Sequence, residues 1–195
     1  MALGSERQRQ LVVRSQDGDD DAFCEIVNHH QARLYRIAYM ILHDRMDAED
    51  VVQEALITAW RRLHLLQDPG TFSAWVSQIA SRAAMDLVRK HARRATDSAD
   101  TRNLEDGAQP DQAGVAGAVH AKDPAHQAVA NAQMEALAKM LQTIEPNNRA
   151  CWVLYEIDGQ SYREIAATVG VSETAVRGRI ARARQAIIDR MKDWR

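Results

Sequence analysis

SYREIAATVGVSETAVRGRIARAR, residues 161–184, is the stretch on which the fold turns. Ser161, followed three positions later by Glu164, forms a capping box, in which a hydroxyl and a carboxylate satisfy backbone N–H groups left free at a helix start. Ile165, Ala166 and Val169 give the short helix behind it one apolar face. Gly170-Val171-Ser172 reads as a tight turn, with Ser172 the N-cap of a longer helix running from about Glu173 towards Met191. Val171, Val176 and Ile180 are spaced to hold that second helix against the first. A short helix, a glycine turn and a capped second helix are the parts of a helix-turn-helix. Arg177, Arg179, Arg182 and Arg184 are left for the free face, and arginines on a helix that fits the major groove bind guanine edges or phosphate. A plain helical hairpin with a solvated basic face is the alternative.

Upstream of that stretch, Leu137, Met140, Leu141 and Ile144 mark a helix that stops at Pro146. Ala150, Val153, Leu154 and Ile157 mark the next, ended by Asp158-Gly159. The C-terminal part, from residue 132 to 195, is therefore expected to be a four-helix domain. Residues 1–94 carry their own pattern. Phe23, Ile26, Val27, Leu34, Ile37, Ala38 and Ile41 line one helix. Val52, Ala55, Leu56, Ala59, Trp60 and Leu63 line a second, which starts near Asp47. Phe72, Trp75, Val76, Ile79, Ala80, Ala83 and Leu87 line a third, entered through the Asp68-Pro69-Gly70 turn. Met1 to Gln16 is polar and reads as a tail.

The chain is all-α by this reading: two small helical domains joined by a flexible acidic linker at 95–131. The linker segment is rich in Asp, Ala and Gly and short of large apolar side chains, which favours disorder. A coil of that length spans roughly 35 Å on average and about 120 Å when stretched. The formal net charge of −2 is unusual for a nucleic-acid binder, but the charge is sorted along the chain. Arg82–Arg94 and Arg177–Arg195 are strongly basic, and the acid excess lies between them.

No run of about 18 apolar residues offers a membrane span, and the N-terminus lacks the apolar core of a secretory signal, so no membrane insertion and a cytoplasmic location are expected. Cys24 and Cys151 belong to no CxxC pair and read as buried free thiols. Acidic residues cluster from Asp44 to Glu54 beside His43, yet no second cluster could complete a metal site, and carboxylates in a helix first turn suit the helix dipole. No phosphate loop and no nucleophile triad are present. No cofactor, no metal and no catalytic residue is expected. On the third helix Gln78, Arg82, Met85, Asp86, Arg89 and Arg93 form an outer stripe, which is either a solvated face or a second nucleic-acid surface.

Taken in order, several segments resemble the extracytoplasmic-function (ECF) sigma factors of RNA polymerase. Asp47 to Trp60 resembles their region two, as do Phe72-Ser-Ala-Trp75, Ile79-Ala80 and Asp86-Leu-Val-Arg89. Ile144-Glu-Pro146, Arg149, Leu154, Tyr162 to Ala166, Gly170 to Ser172 and Arg182-Ala-Arg184 resemble region four. The likeness covers all but the N-terminal tail and the linker. It implies a non-catalytic specificity subunit that binds the clamp helices of the polymerase largest subunit, with Asp47, Asp50, Gln53, Glu54, Ile57 and Arg61 as the binding face. It implies melting of the promoter minus-ten element and capture of a flipped base by His64, Gln67, Asp68, Thr71, Gln78, Ser81, Arg82, Asp86, Arg89 and Arg93. It implies duplex readout of the minus-thirty-five element by Ser172, Glu173, Thr174, Arg177, Arg179, Arg182 and Arg184. Promoter DNA, duplex and single-stranded, and an anti-sigma factor are the other implied partners. Arg82 stands where the family often has Asn, and Ala175 where it often has Thr. The rival readings are a helix-turn-helix regulator that does not engage polymerase and a helical metal-dependent hydrolase.

Overall fold

Helix begins earlier than the apolar periodicity implies. The structure is a computed structural model that describes residues 4–99 and 124–192, and every regular element among them is helical. The first, α1 (Ser5–Gln16), covers most of the segment expected to be a polar tail. Two adjacent apolar residues, Leu11 and Val12, suffice to dock it, and both are fully buried.

α2 (Asp20–Leu42) is capped by Asp19, whose carboxylate accepts from the Ala22 N–H at 2.9 Å. It ends at His43, a left-handed residue with φ of 60°. Asp44 then caps α3 (Arg45–Arg62), accepting from the Asp47 N–H at 2.8 Å. Two short 3-10 turns, Leu63–Leu65 and Pro69–Thr71, lead into α4 (Phe72–Ala99). α2, α3 and α4 pack on one another around Ile26, Leu34, Ile41, Phe72, Val76 and Met85, and α1 closes one side.

The second module comprises α5 (Pro124–Gln142), α6 (Pro146–Glu156), α7 (Tyr162–Val169) and α8 (Glu173–Lys192). Pro146 opens α6 rather than merely stopping α5, and the Glu145 carboxylate accepts from the N–H groups of Asn147 and Asn148 at 3.0 and 2.9 Å. The α7 capping box forms in both directions, and Gly170, with φ of 75°, makes the left-handed turn into α8. The Ser172 hydroxyl accepts from the Ala175 N–H at 3.2 Å.

Other expectations also need correction, among them Trp60 and Ile157, expected to face inward and in fact exposed. Met85, placed on the outer stripe of α4, is wholly buried, because it follows Val76 and Ala84 on the inner face. Cys24 is exposed while Cys151 is buried, and burial pushes the Cys151 thiol up. Helix reaches into both ends of the segment expected as a linker at 95–131: α4 runs unbroken to Ala99, and α5 begins at Pro124, a residue suited to a first helical position. The remainder, 100–123, lies outside the described residues.

The two modules also touch. Asp158, just beyond α6, is the hub of the seam. Its carboxylate accepts from the Arg33 guanidinium at 2.7 Å, from the Ser77 hydroxyl at 2.8 and 2.6 Å, and from the Gln160 amide at 2.7 Å. A second tie is Arg149, buried, whose guanidinium donates to the Ile41 carbonyl at 3.0 and 2.7 Å. That carbonyl lies in the last turn of α2, where it has no partner within its own helix. The Tyr39 hydroxyl reaches Glu135 of α5 at 3.2 Å, completing a third tie.

Candidate nucleic-acid interface

Three surfaces carry the candidate residues. On α3, Ala48, Val51, Val52, Ala55 and Ala59 face the core, so the helical period turns Asp50, Gln53, Glu54, Ile57 and Arg61 outward. Ile57 is 52% exposed in the middle of that polar face, and Met46 is 77% exposed at its start. Asp47 sits apart at the edge, half-buried, with its carboxylate 3.6 Å from His91 of α4.

The second surface joins the loop after α3 to one side of α4. Asp68 caps the second turn, accepting from the Gly70 N–H at 2.9 Å, and the Thr71 hydroxyl donates to the Asp68 carbonyl at 2.7 Å. The loop is braced from α1. The Gln16 amide donates to the Leu63 and Leu66 carbonyls at 2.9 and 2.8 Å, and Arg9 lies 3.3 Å from the Asp68 carboxylate. A side chain at Gly70 would sit 2.6 Å from that same arginine. His64, Gln67, Arg82, Asp86 and Arg93 are exposed.

The other α4 residues of this surface are engaged by the second module. Ser81 is buried and accepts from the Gln160 amide at 3.2 Å. The Gln78 amide donates to Glu164 at 3.3 Å, and Arg89 donates to the Val169 carbonyl at 3.4 Å while also pairing with Asp86. Thus α6 and α7 cover part of the α4 stripe. A cleft of about 400 Å³ lies at this junction, lined by Arg33, Thr71, Ser73, Ser77, Gln78 and Asp158.

The third surface is α8. Val176, Ile180 and Ala183 are buried, and Glu173, Thr174, Arg177, Arg182 and Arg184 are exposed, with Ser172 exposed at the cap. Gly178 and Ala181 lie between the arginines, so the middle of the face is low and its rims are charged. Arg179 turns the other way. One of its guanidinium nitrogens is buried without a hydrogen-bond partner, close to the Cys151 thiol and the Glu145 carboxylate.

A pair of aromatic rings beside α8 is absent from the candidate DNA-binding residues, although Tyr162 opens one of the segments that resemble region four. Tyr155 of α6 and Tyr162 of α7 stack with centroids 4.9 Å apart and an interplanar angle of 10°. Arg177 lies over the Tyr162 ring at 5.2 Å and Arg184 over the Tyr155 ring at 5.6 Å. The Arg184 guanidinium also binds Glu156 at 2.6 Å. Hydrogen bonding to Tyr155 holds the Tyr162 phenol above its usual range, and burial adds to this. The one signal in the sequence is that Tyr155 and Tyr162 flank the turn that joins α6 to α7.

Among the described residues no group of three or more His, Cys, Asp or Glu side chains could hold a metal ion, and no helix is long and apolar enough to cross a membrane. The acids at the start of α3 have local roles: Asp44 is a cap and Asp47 faces His91.

Comparison with known proteins agrees with this layout. The sigma-70 region 2 family model matches residues 26–94, and the sigma-70 region 4 family model matches residues 134–187. The ECF RNA polymerase sigma factor SigE of Mycolicibacterium smegmatis is 35% identical over 85% of this chain, which spans 60% of that protein's length. The RNA polymerase sigma-H factor of Pseudomonas aeruginosa is 31% identical over 95% of this chain and 94% of its own. The solved structure of CnrH in complex with the cytosolic domain of CnrY superposes with a TM-score of 0.60 at 25% identity, covering 96% of this chain and 98% of that one. Matched over both modules by the family's own regions and end to end by a curated relative, the chain belongs to the ECF group of RNA polymerase sigma factors.

Proposed function

We propose that this chain is a promoter-specificity subunit of RNA polymerase, acting in the cytoplasm without a catalytic centre or cofactor of its own. The outer face of α3, with Ile57 ringed by Asp50, Gln53, Glu54 and Arg61, docks on the clamp helices of the polymerase largest subunit. Met46, Ile57 and Trp60 are all exposed on α3, and an apolar centre within a polar rim is the anatomy of a protein interface. The loop at 63–71 and the adjoining side of α4 open the minus-ten element and hold an extruded base. A base leaving the stack needs stacking and hydrogen-bonding partners, and the exposed His64 and Gln67 of the loop with Arg82 and Asp86 of α4 supply them on this reading once the second module has moved off. The face of α8 reads the minus-thirty-five element as duplex, its low centre of Gly178 and Ala181 letting the helix sit deep in the major groove.

The seam between the modules fits the same reading. Ser81, Gln78 and Arg89 cannot serve the minus-ten strand while Gln160, Glu164 and Val169 hold them. The closed arrangement is the polymerase-free form, and the two modules separate on core. CnrH was solved with the cytosolic domain of CnrY, and an anti-sigma factor that favours closure is the corresponding partner here.

The observation that carries the reading is the presence in one chain of the α3 face, the α4 stripe and the α8 face, each in a segment matched to its family region. Run-off transcription by core polymerase over a promoter library, with and without the chain, tests it. Promoter-dependent transcripts only in its presence are expected. Duplex binding with no retention of core polymerase would instead assign a helix-turn-helix regulator.

A further inference from the structure

Four side chains from three helices form one continuous stack: Arg177, Tyr162, Tyr155, Arg184. The two phenol rings are nearly parallel, and a guanidinium lies over each of them. Arg177 and Arg184 stand seven residues apart on α8, two turns, so they project from the same side of the helix. That side adjoins α6 and α7 and forms one rim of the low centre made by Gly178 and Ala181. A rim of a groove-seated helix faces the phosphates rather than the base edges. Long arginine side chains are otherwise free to sample many rotamers, which raises the entropic cost of binding each phosphate.

We infer that the Tyr155–Tyr162 stack is a positioning platform, which holds Arg177 and Arg184 extended over the rim so that both engage phosphates of one strand of the minus-thirty-five duplex. The tyrosines act through the arginines and touch no base. Their rings, not their hydroxyls, do the positioning. Glu156 also holds Arg184, its carboxylate 2.6 Å from the guanidinium. The hydrogen bonds and ion pairs of the seam with α1–α4 run through Glu135, Arg149, Asp158, Gln160, Glu164 and Val169 rather than through the stack, so the stack is present whether the modules are closed or apart.

The inference rests on the proposed reading of α8, and a double-mutant cycle separates the two. Polymerase core reconstituted with the full chain is titrated with promoter duplex bearing an intact or a scrambled minus-thirty-five element, over a range of salt. The variants are Tyr162→Leu, Tyr162→Phe, Arg177→Ala and the pair Tyr162→Leu with Arg177→Ala. Removing one arginine–phosphate interaction lowers the salt slope by about 1, and removing one exposed cation–π interaction weakens binding by roughly two- to fivefold. Tyr162→Leu is expected to lower both affinity and slope towards the Arg177→Ala values, and to add nothing on the Arg177→Ala background. Tyr162→Phe is expected to keep the parent behaviour. The same pattern is expected for Tyr155→Leu against Arg184→Ala. Independent, additive losses from Tyr162→Leu and Arg177→Ala overturn the platform while leaving α8 as the reading helix. A reduced slope in Tyr162→Phe overturns it too, since the hydroxyl would then be the group that meets phosphate. If Arg177→Ala and Arg184→Ala change nothing on the intact element, the α8 reading itself falls and the platform falls with it.

Discussion

Arg33 of α2 and Asp158 at the end of α6, 125 positions apart in the chain, meet at 2.7 Å, and the carboxylate side chain is only 1% exposed. This pair joins the two modules through one shared acceptor. Asp158→Ala leaves Arg33, Ser77 and Gln160 without it, and stranding buried donors costs about 1–3 kcal/mol. The closed arrangement is therefore expected to loosen in the variant. A larger radius of gyration in small-angle scattering, or a longer distance between labels on α2 and α8, is the readout. Unchanged dimensions would show that Arg149 and Glu135 hold the seam without it.

Asp50→Ala combined with Glu54→Ala removes two charges from the outer face of α3 and touches none of its buried residues. Exposed substitutions of this kind usually change stability by less than about 0.5 kcal/mol. Affinity for core polymerase is expected to fall while the melting temperature stays put. A titration giving parent affinity would move the docking surface elsewhere on the first module.

The arginines of α8 are expected to divide by where their side chains sit. Arg177→Ala and Arg182→Ala, both exposed on the charged rims, should weaken duplex binding across sequences alike and each lower the salt slope by about 1. Arg179→Ala should alter thermal stability more than DNA binding, because its guanidinium is tucked against Cys151 and Glu145. Equal DNA-binding losses from all three would mean that Arg179 swings outward on the duplex.

Gln16 braces the loop at 63–71 alongside Arg9, its amide spanning the Leu63 and Leu66 carbonyls. Gln16→Leu keeps the size of the side chain and removes both donors. Base preference within the minus-ten element is expected to broaden, with core affinity and duplex binding by α8 retained. A promoter library giving the parent preference would show that Asp68, with its capping bonds and Arg9, fixes the loop without Gln16.

His30 and His43 set a pH dependence. Burial lowers both from 6.5 to about 4, with His29 and Arg33 adding to the effect at His30 and Arg149 adding to it at His43. Between those values the unfolded chain takes up protons that the folded one refuses. Stability is then full above about pH 6.5 and is lost as pH falls towards 4. For His30, 5% exposed, the span corresponds to roughly 3 kcal/mol at most. Urea midpoints measured at neutral and at mildly acidic pH should differ in the parent and differ less in His30→Gln. Equal midpoints in the parent would rule out buried neutral histidines.

Local signals in the sequence specify the helices well where capping and period agree. The Ser161–Glu164 box, Gly170 and Ser172 predict α7 and α8 closely, because each acts within a few residues of itself. α1 escapes such a reading for the opposite reason. Its two docking residues, Leu11 and Val12, are adjacent rather than periodic, and only α2 and the loop at 63–71 make them a core. The seam is equally hidden. Asp158 reads locally as a turn residue before Gly159, and Arg149 reads as a motif residue of α6. Nothing near either one in sequence announces Arg33 or the Ile41 carbonyl. The α3 and α8 faces are legible because helical period sorts inside from outside. The aromatic pair is not, because stacking depends on the crossing of α6 and α7 rather than on spacing.

The seam is built largely from carboxylate, amide, hydroxyl, guanidinium and carbonyl groups, each of which water can serve as well as the opposite module does. Apolar side chains meet across it as well, Ile37 and Met40 of α2 beside Ile157. Parting the modules therefore exchanges one set of polar partners for another, and the cost of opening falls on those few apolar contacts, so the joint can yield to a competing surface that offers the same groups.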